Sequence, residues 1–174
     1  MTELAKEIQV CSEQGLRQMI ADETDEARLW KALEQVIERR VGVSLFTVLI
    51  HDEGNGTVQR IYTNDPITYP IGGTKEMGTT PWGDLVLKKG LVFLGQNETD
   101  LKWAFPDHET IFSLGLGSAL NVPVRVMGAT YGTLNLLHRP FHYTTDHLNQ
   151  VSSLASVIAP LCVRRVLLKK CREA

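Results

Sequence analysis

Apolar residues recur at helical spacing near both ends of the chain and at strand spacing in between. Leu4, Ile8, Cys11, Gly15 and Met19 share one stripe and predict an amphipathic helix within residues 1–22. After a polar break at 21–25, Thr24 or Asp25 can cap a second helix. Glu26 stands in its first turn, Leu29, Leu33, Val36 and Ile37 on its apolar face, and Gly42 just past its end. The period then changes. Val43 to Ile50 has the composition of a buried strand, and Gly54-Asn55-Gly56 joins it to a second strand, Thr57 to Thr63, as a hairpin. Residues 64–81, rich in proline and glycine, read mostly as loop. A short helix is expected from Trp82 to Lys89 and a strand from Leu91 to Leu94. Residues 95–110 look irregular, with a short helix near Asp107 to Leu114.

Two more strands, Ser118 to Val126 and Thr130 to His138, turn through Met127-Gly128-Ala129. Thr144 is expected to cap a last helix reaching about Arg172, with Leu148, Val151, Ala155, Ile158 and Cys162 on one stripe and a kink at Pro160. Helices at both ends around antiparallel strands predict an α+β fold, one sheet with helices packed on it. The chain divides into 1–22, a helix for packing or dimerisation, and 23–174, the domain proper.

Composition narrows the function classes. The 174 residues fit one domain. Eighteen basic and 20 acidic side chains give a formal charge of −2, a poor match to nucleic acid as partner. No apolar run is expected to span a bilayer and no signal pattern opens the chain, so a cytoplasmic protein is expected. Three cysteines (Cys11, Cys162 and Cys171) at irregular spacing fit a reducing compartment and read as small buried hydrophobes.

Catalytic templates find no match. There is no GxSxG elbow and no HExxH, and Gly72-Gly73-Thr74-Lys75 and Gly115-Leu116-Gly117 read as turns. His138, His142 and His147 read as solvated loop histidines rather than metal ligands, because Pro140 breaks any common helix face. Asp107-His108-Glu109 reads first as a helix cap, with ligand contact as the alternative. More telling is the alternation in the last two strands. Leu120, Val122 and Val124 share one face, as do Leu134 and Leu136. Asn121 in one strand, and Thr133 and Asn135 in the other, take the opposite face. An amide-bearing face beside a long segment whose Trp82, Phe93, Trp103, Phe105 and Phe112 need burial points to a lidded pocket.

Phe105-Pro106-Asp107-His108-Glu109, the run Gly117 to Val124, Gly128 with Tyr131 to Leu137, and Tyr143 to Leu148 together resemble a GAF domain over about Ala27 to Val163. The resemblance implies an antiparallel sheet of five or six strands, terminal helices on one face, and a loop-roofed small-molecule pocket on the other. Cyclic-nucleotide-binding members carry an Asn-Lys pair followed by Phe and Asp-Glu. Here His138-Arg139, Tyr143 and Asp146 stand at those places, against a cyclic nucleotide. No cysteine lies between Cys11 and Cys162, so neither a covalent bilin nor the thiol chemistry of the free methionine sulfoxide reductases is implied.

The expected function is a non-enzymatic sensory or regulatory module with no cofactor and no metal. Asn121, Thr133 and Asn135 would form the pocket floor and Tyr62 and Trp82 its walls. Asp107 and His108 would act from the roof, and Arg125 would pair with an anionic group. The long last helix and the N-terminal helix suggest a homodimer or a protein partner, the net +4 of Leu161–Ala174 reading as a solvated helix end. Two alternatives stay open: an enzyme using His108 with Asp107 or Glu109, and a scaffold whose pocket is filled by its own aromatics.

Overall fold

The computed structural model describes residues 12–77 and 80–173, and all side chains among them except that of Glu173. Leu4, Ile8 and Cys11 lie outside the described residues. Among the described residues helix α1 (Glu13–Asp22) comes first; its Leu16 is buried and its Glu13 lies 3.6 Å from Arg40 of the next helix. Helix α2 (Glu26–Val41) starts where the acidic break predicts: the Asp25 carboxylate accepts the Ala27 N–H at 3.0 Å. It stops at Gly42, whose φ of 70° is the left-handed conformation that glycine adopts without strain.

Six strands form one antiparallel sheet in the order β3-β2-β1-β6-β5-β4. They are β1 (Leu45–Asp52), β2 (Thr57–Thr63), β3 (Thr74–Glu76), β4 (Phe93–Gly95), β5 (Ser118–Val126) and β6 (Ala129–His138). Two elements depart from the reading of the sequence. β3 lies inside the stretch read as loop; only three residues long and fully exposed, it leaves no hydrophobic alternation to detect. Helix α3 (Glu98–Ala104) lies inside the stretch read as irregular. Its start is marked by reciprocal capping: Asn97 accepts the Asp100 N–H at 3.2 Å, and Asp100 accepts the Gln96 N–H at 2.8 Å. The helix expected at Trp82 is a single π-helical turn, Gly83–Lys88, and α4 (His108–Ser113) follows the next bend.

Helix α5 (Thr145–Glu173) is 29 residues long, about 43 Å at 1.5 Å per residue. The ring nitrogen Nδ1 of His147 accepts the Thr144 N–H at 3.2 Å, so the histidine closes this N-terminus. The helix runs through Pro160 without a break. The carbonyl deprived of its bond belongs to Ser156, and both residues face solvent, where water can satisfy it. By length and apolarity α5 passes as a membrane-crossing helix, contrary to the sequence reading. Half of the window that passes is buried inside the protein, however, and Val151, Leu154, Ile158 and Cys162 sit in the main core.

The sheet separates two cores. Helices α1, α2 and α5 cover one face, where Leu16, Leu33, Ile37, Leu154 and Ile158 pack on Phe46, Val48, Leu120, Leu134 and Leu136. The connecting segments cover the other, where Trp82, Val86, Phe93, Leu101 and Ile111 pack on Leu45, Ala119 and Leu137. Trp103 is only partly enclosed: it stacks on Phe93 with centroids 5.8 Å apart and stays 49% exposed.

Basic residues near the end of α5 are tied to the domain rather than simply solvated. Arg165 grips Glu26 through two contacts of 2.8 and 2.5 Å, Lys169 reaches the Thr57 hydroxyl at 3.2 Å, and Lys170 lies 3.7 Å from Asp52. Cys162 is fully buried, which pushes its thiol up to about 12, whereas Cys171 is exposed, against the expectation of a buried hydrophobe. The three histidines near the β6–α5 connection are not free in solvent either. The rings of His138 and His142 stack 3.6 Å apart, and His142 Nε2–H donates to the Val41 carbonyl at 2.7 Å.

Candidate functional site

A cavity of about 360 Å³ lies between the sheet and the segments that roof its second face. Its floor follows strand parity. Leu45, Thr47 and Leu49 come from β1, Val58 and Arg60 from β2, and Asn135 and Leu137 from β6. Roof and walls come from Tyr69, Trp82, Ala104, Phe105, Pro106, Asp107 and Ile111, and Gly73, Thr74, Lys75, Glu76, Met77 and Thr80 complete the lining. The lining is thus mainly apolar with a few separate polar groups, the usual makeup of a small-molecule pocket.

Asn135 is 6% exposed. Its amide Nδ2 donates to the Thr133 hydroxyl at 3.0 Å and to Thr47 Oγ1 at 3.4 Å, while its Oδ1 is buried without a donor. Arg60 donates from Nη1 to the Pro70 carbonyl at 3.2 Å, and its guanidinium carbon stands 5.1 Å from the centre of the Tyr69 ring. Its Nε is buried without an acceptor. Burial lowers the arginine's proton affinity, and Tyr69 and Asp107 partly restore it. The Tyr69 hydroxyl donates to Asp107 at 3.2 Å. Burial, then the charge of Asp107, pushes its pKa well above the usual phenol range.

Of the eight residues expected from the sequence, Trp82, Asp107 and Asn135 line the cavity. Asn121 and Thr133 are on the expected face but not in the lining. Both are fully buried: Asn121 accepts the Trp82 indole N–H at 2.8 Å, and Thr133 accepts from Asn135. They support lining residues rather than face a ligand.

Tyr62, His108 and Arg125 lie elsewhere. Tyr62 is on the helix face, where its hydroxyl donates to Glu34 and its ring packs on Phe46 at 5.7 Å. The cause is a bulge. Val48 pairs with Tyr62 while Leu49 pairs with Arg60, so Ile61 is an extra residue that reverses the parity beyond it. His108 Nδ1–H donates to the Phe105 carbonyl at 2.9 Å and its ring lies against Phe112, outside the cavity lining. Arg125 stands exposed near the far end of β5, donating to the Gly128 carbonyl at 2.7 Å. The Asp107 side chain makes no cap to α4, because its carboxylate takes the Tyr69 hydroxyl instead.

Arg60, Tyr69 and Lys75 were missed. The alternation Val58–Arg60 was available as a signal for the first. Tyr69 and Lys75 come from connections whose path no local pattern fixes.

A sequence profile of the GAF domain family matches residues 23–161, about four fifths of the chain. No curated protein matches it. Among solved structures, the GAF domain of an Acinetobacter phosphoenolpyruvate-protein phosphotransferase superimposes with a TM-score of 0.68 at 13% identity, over 94% of this chain and 95% of that one. The GAF domain of a Bacillus halodurans two-component sensor histidine kinase gives 0.66 at 15% identity, over 84% and 98%. Part of a methyl-accepting chemotaxis protein gives 0.63 at 14%, over 88% and 96%. At such identities the structures speak for a shared fold, and the family match extends it to the sequence. With helices on one face of a six-stranded antiparallel sheet and a roofed cavity on the other, this chain belongs to the GAF domain family.

Proposed function

We propose that this chain is a non-enzymatic, cytoplasmic sensory or regulatory module that binds a small molecule over its sheet and signals through its terminal helices to a second copy or a partner protein. The single observation that carries the reading is the roofed cavity of about 360 Å³, with separate polar groups in an apolar lining. The aromatic residues of the roof leave this space open, which weighs against a scaffold whose pocket its own side chains fill. The enzyme alternative is the less favoured reading, because His108 stands outside the cavity lining, with its Nδ1–H on the Phe105 carbonyl and its ring against Phe112.

The output follows from the layering. Trp82 and Asn135 touch the cavity, Leu134 and Leu136 on the neighbouring positions of β6 touch the helix core, and α5 packs on both central strands. A ligand that favours one sheet geometry would bias the packing of α5 to the extent of its differential affinity. Residues 1–22 then serve as a packing or dimerisation segment and 23–174 as the ligand-binding domain.

Native mass spectrometry of freshly purified protein, followed by thermal-shift measurements with metabolite pools, tests the reading. A co-purifying small molecule, or a ligand that raises the melting temperature with its concentration, is expected. A chain that retains nothing and whose melting is indifferent to every pool would refute it.

A further inference from the structure

We infer that the cavity takes a small organic anion, a monocyclic carboxylate whose acid group lies at Arg60 and Lys75 and whose far end carries a hydroxyl or ring N–H. This rests on the reading of the cavity as a ligand site and adds the chemical class. Two cations contribute to the lining, and among the described residues neither has a carboxylate within ion-pair distance. Arg60 uses Nη1 on Pro70 and lays its guanidinium against Tyr69, and its Nε–H is buried with no acceptor. A buried Nε–H with no acceptor on a half-buried guanidinium is an unfavourable arrangement that an anionic partner relieves. Lys75 pairs with Val58 across β2 and β3, so the strand pleat sets it on the cavity side, two residues from Arg60's register.

Two carboxylates line the cavity as well. Asp107 accepts the Tyr69 hydroxyl and Glu76 stands on the exposed edge strand opposite Thr57, and neither forms an ion pair with Arg60 or Lys75. Between the charged end and Asn135 the lining is apolar, with Leu45, Leu49, Val58 and Leu137 of the floor and Trp82 and Ile111 above them, which suits a flat apolar body. At the floor Asn135 Oδ1 lacks a donor, so the complementary group is a hydroxyl or N–H. Arg60 and Asn135 stand opposite Leu49 and Thr47 on either side of β1. That offset corresponds to roughly 12 Å between their Cα atoms, room for a molecule of monocyclic size.

The experiment uses the whole chain and four probes: 4-hydroxyphenylacetate, its neutral amide 4-hydroxyphenylacetamide, the cation tyramine, and uncharged p-cresol, titrated by calorimetry and followed by tryptophan fluorescence. The acid is expected to bind about tenfold or more tightly than the amide, with tyramine weakest. Its advantage should shrink between about 50 mM and about 500 mM salt. Arg60→Gln should remove the advantage, and Lys75→Gln, at an exposed site where folding is not at stake, should reduce it. If the amide and tyramine bind as tightly as the acid, the anion class is overturned while the cavity reading stands. If none of the four binds, p-cresol included, the cavity reading fails and the inference with it.

Discussion

Asn121 on β5 and Asn135 on β6 are direct cross-strand partners, and each buries one amide atom without a hydrogen bond: Nδ2 of the first, Oδ1 of the second. A missing acceptor and a missing donor thus face the same buried region of the sheet. Their other amide atoms are used. Asn121 Oδ1 accepts the Trp82 indole N–H and so fastens the roof to the sheet, while Asn135 Nδ2 serves Thr133 and Thr47 within the sheet.

That fastening has a measurable energy. Trp82→Phe leaves Asn121 Oδ1 buried and unpaired, and we expect a loss of about 1–3 kcal/mol in urea unfolding. Asn121→Leu alone strands the indole N–H at a similar cost. The double variant should recover much of the loss, because both halves of the bond are then apolar. Strictly additive losses would mean that the two side chains do not depend on each other.

His138, stacked on His142, is placed to respond to acid. Burial, then the charges that His142 and Arg139 would place beside it, lowers the His138 pKa in the folded state, and its Nδ1 already accepts the Arg139 N–H. The unfolded chain therefore takes up the proton first. Stability is full above about pH 7 and falls as pH drops through about 6.5 toward the lower folded value. The melting temperature should decline between about pH 7 and 5.5, and His138→Gln should flatten that decline. An identical slope in the variant would assign the effect to another group.

Gly132 on β6 stands opposite Ile50 of β1. A Cβ built there would sit 2.4 Å from the Leu49 carbonyl oxygen and 3.2 Å from the Cys162 sulfur. Backbone cannot move aside as a side-chain end does, so Gly132→Ala should cost about 1–3 kcal/mol. Because Leu49 lines the cavity, probe binding should weaken too. An unfolding midpoint equal to that of the unsubstituted chain would show that the strands separate more freely than this geometry implies.

Elements with strong periodicity are legible in the spacing of residues alone. α2 with its start at Thr24 or Asp25 and its Gly42 stop, the β1–β2 hairpin, the β5–β6 pair with its apolar and amide faces, and a last helix about 40 Å long are all local consequences of residue spacing. The same alternation put Asn121, Thr133 and Asn135 on one face, because the strand pleat is a local property. Which of them meets open space depends on packing between distant segments. Trp82 covers Asn121 while Asn135 is left at the cavity, a choice made by the path of the roof and not by any pattern within the strands. The bulge at Ile61 turned Tyr62 to the helices and left Arg60 facing the cavity, since a single inserted residue reverses every later side chain and its placement depends on pairing with β1. Tyr69 and Lys75 reached the site through connections without periodicity, whose positions are fixed by what they pack against.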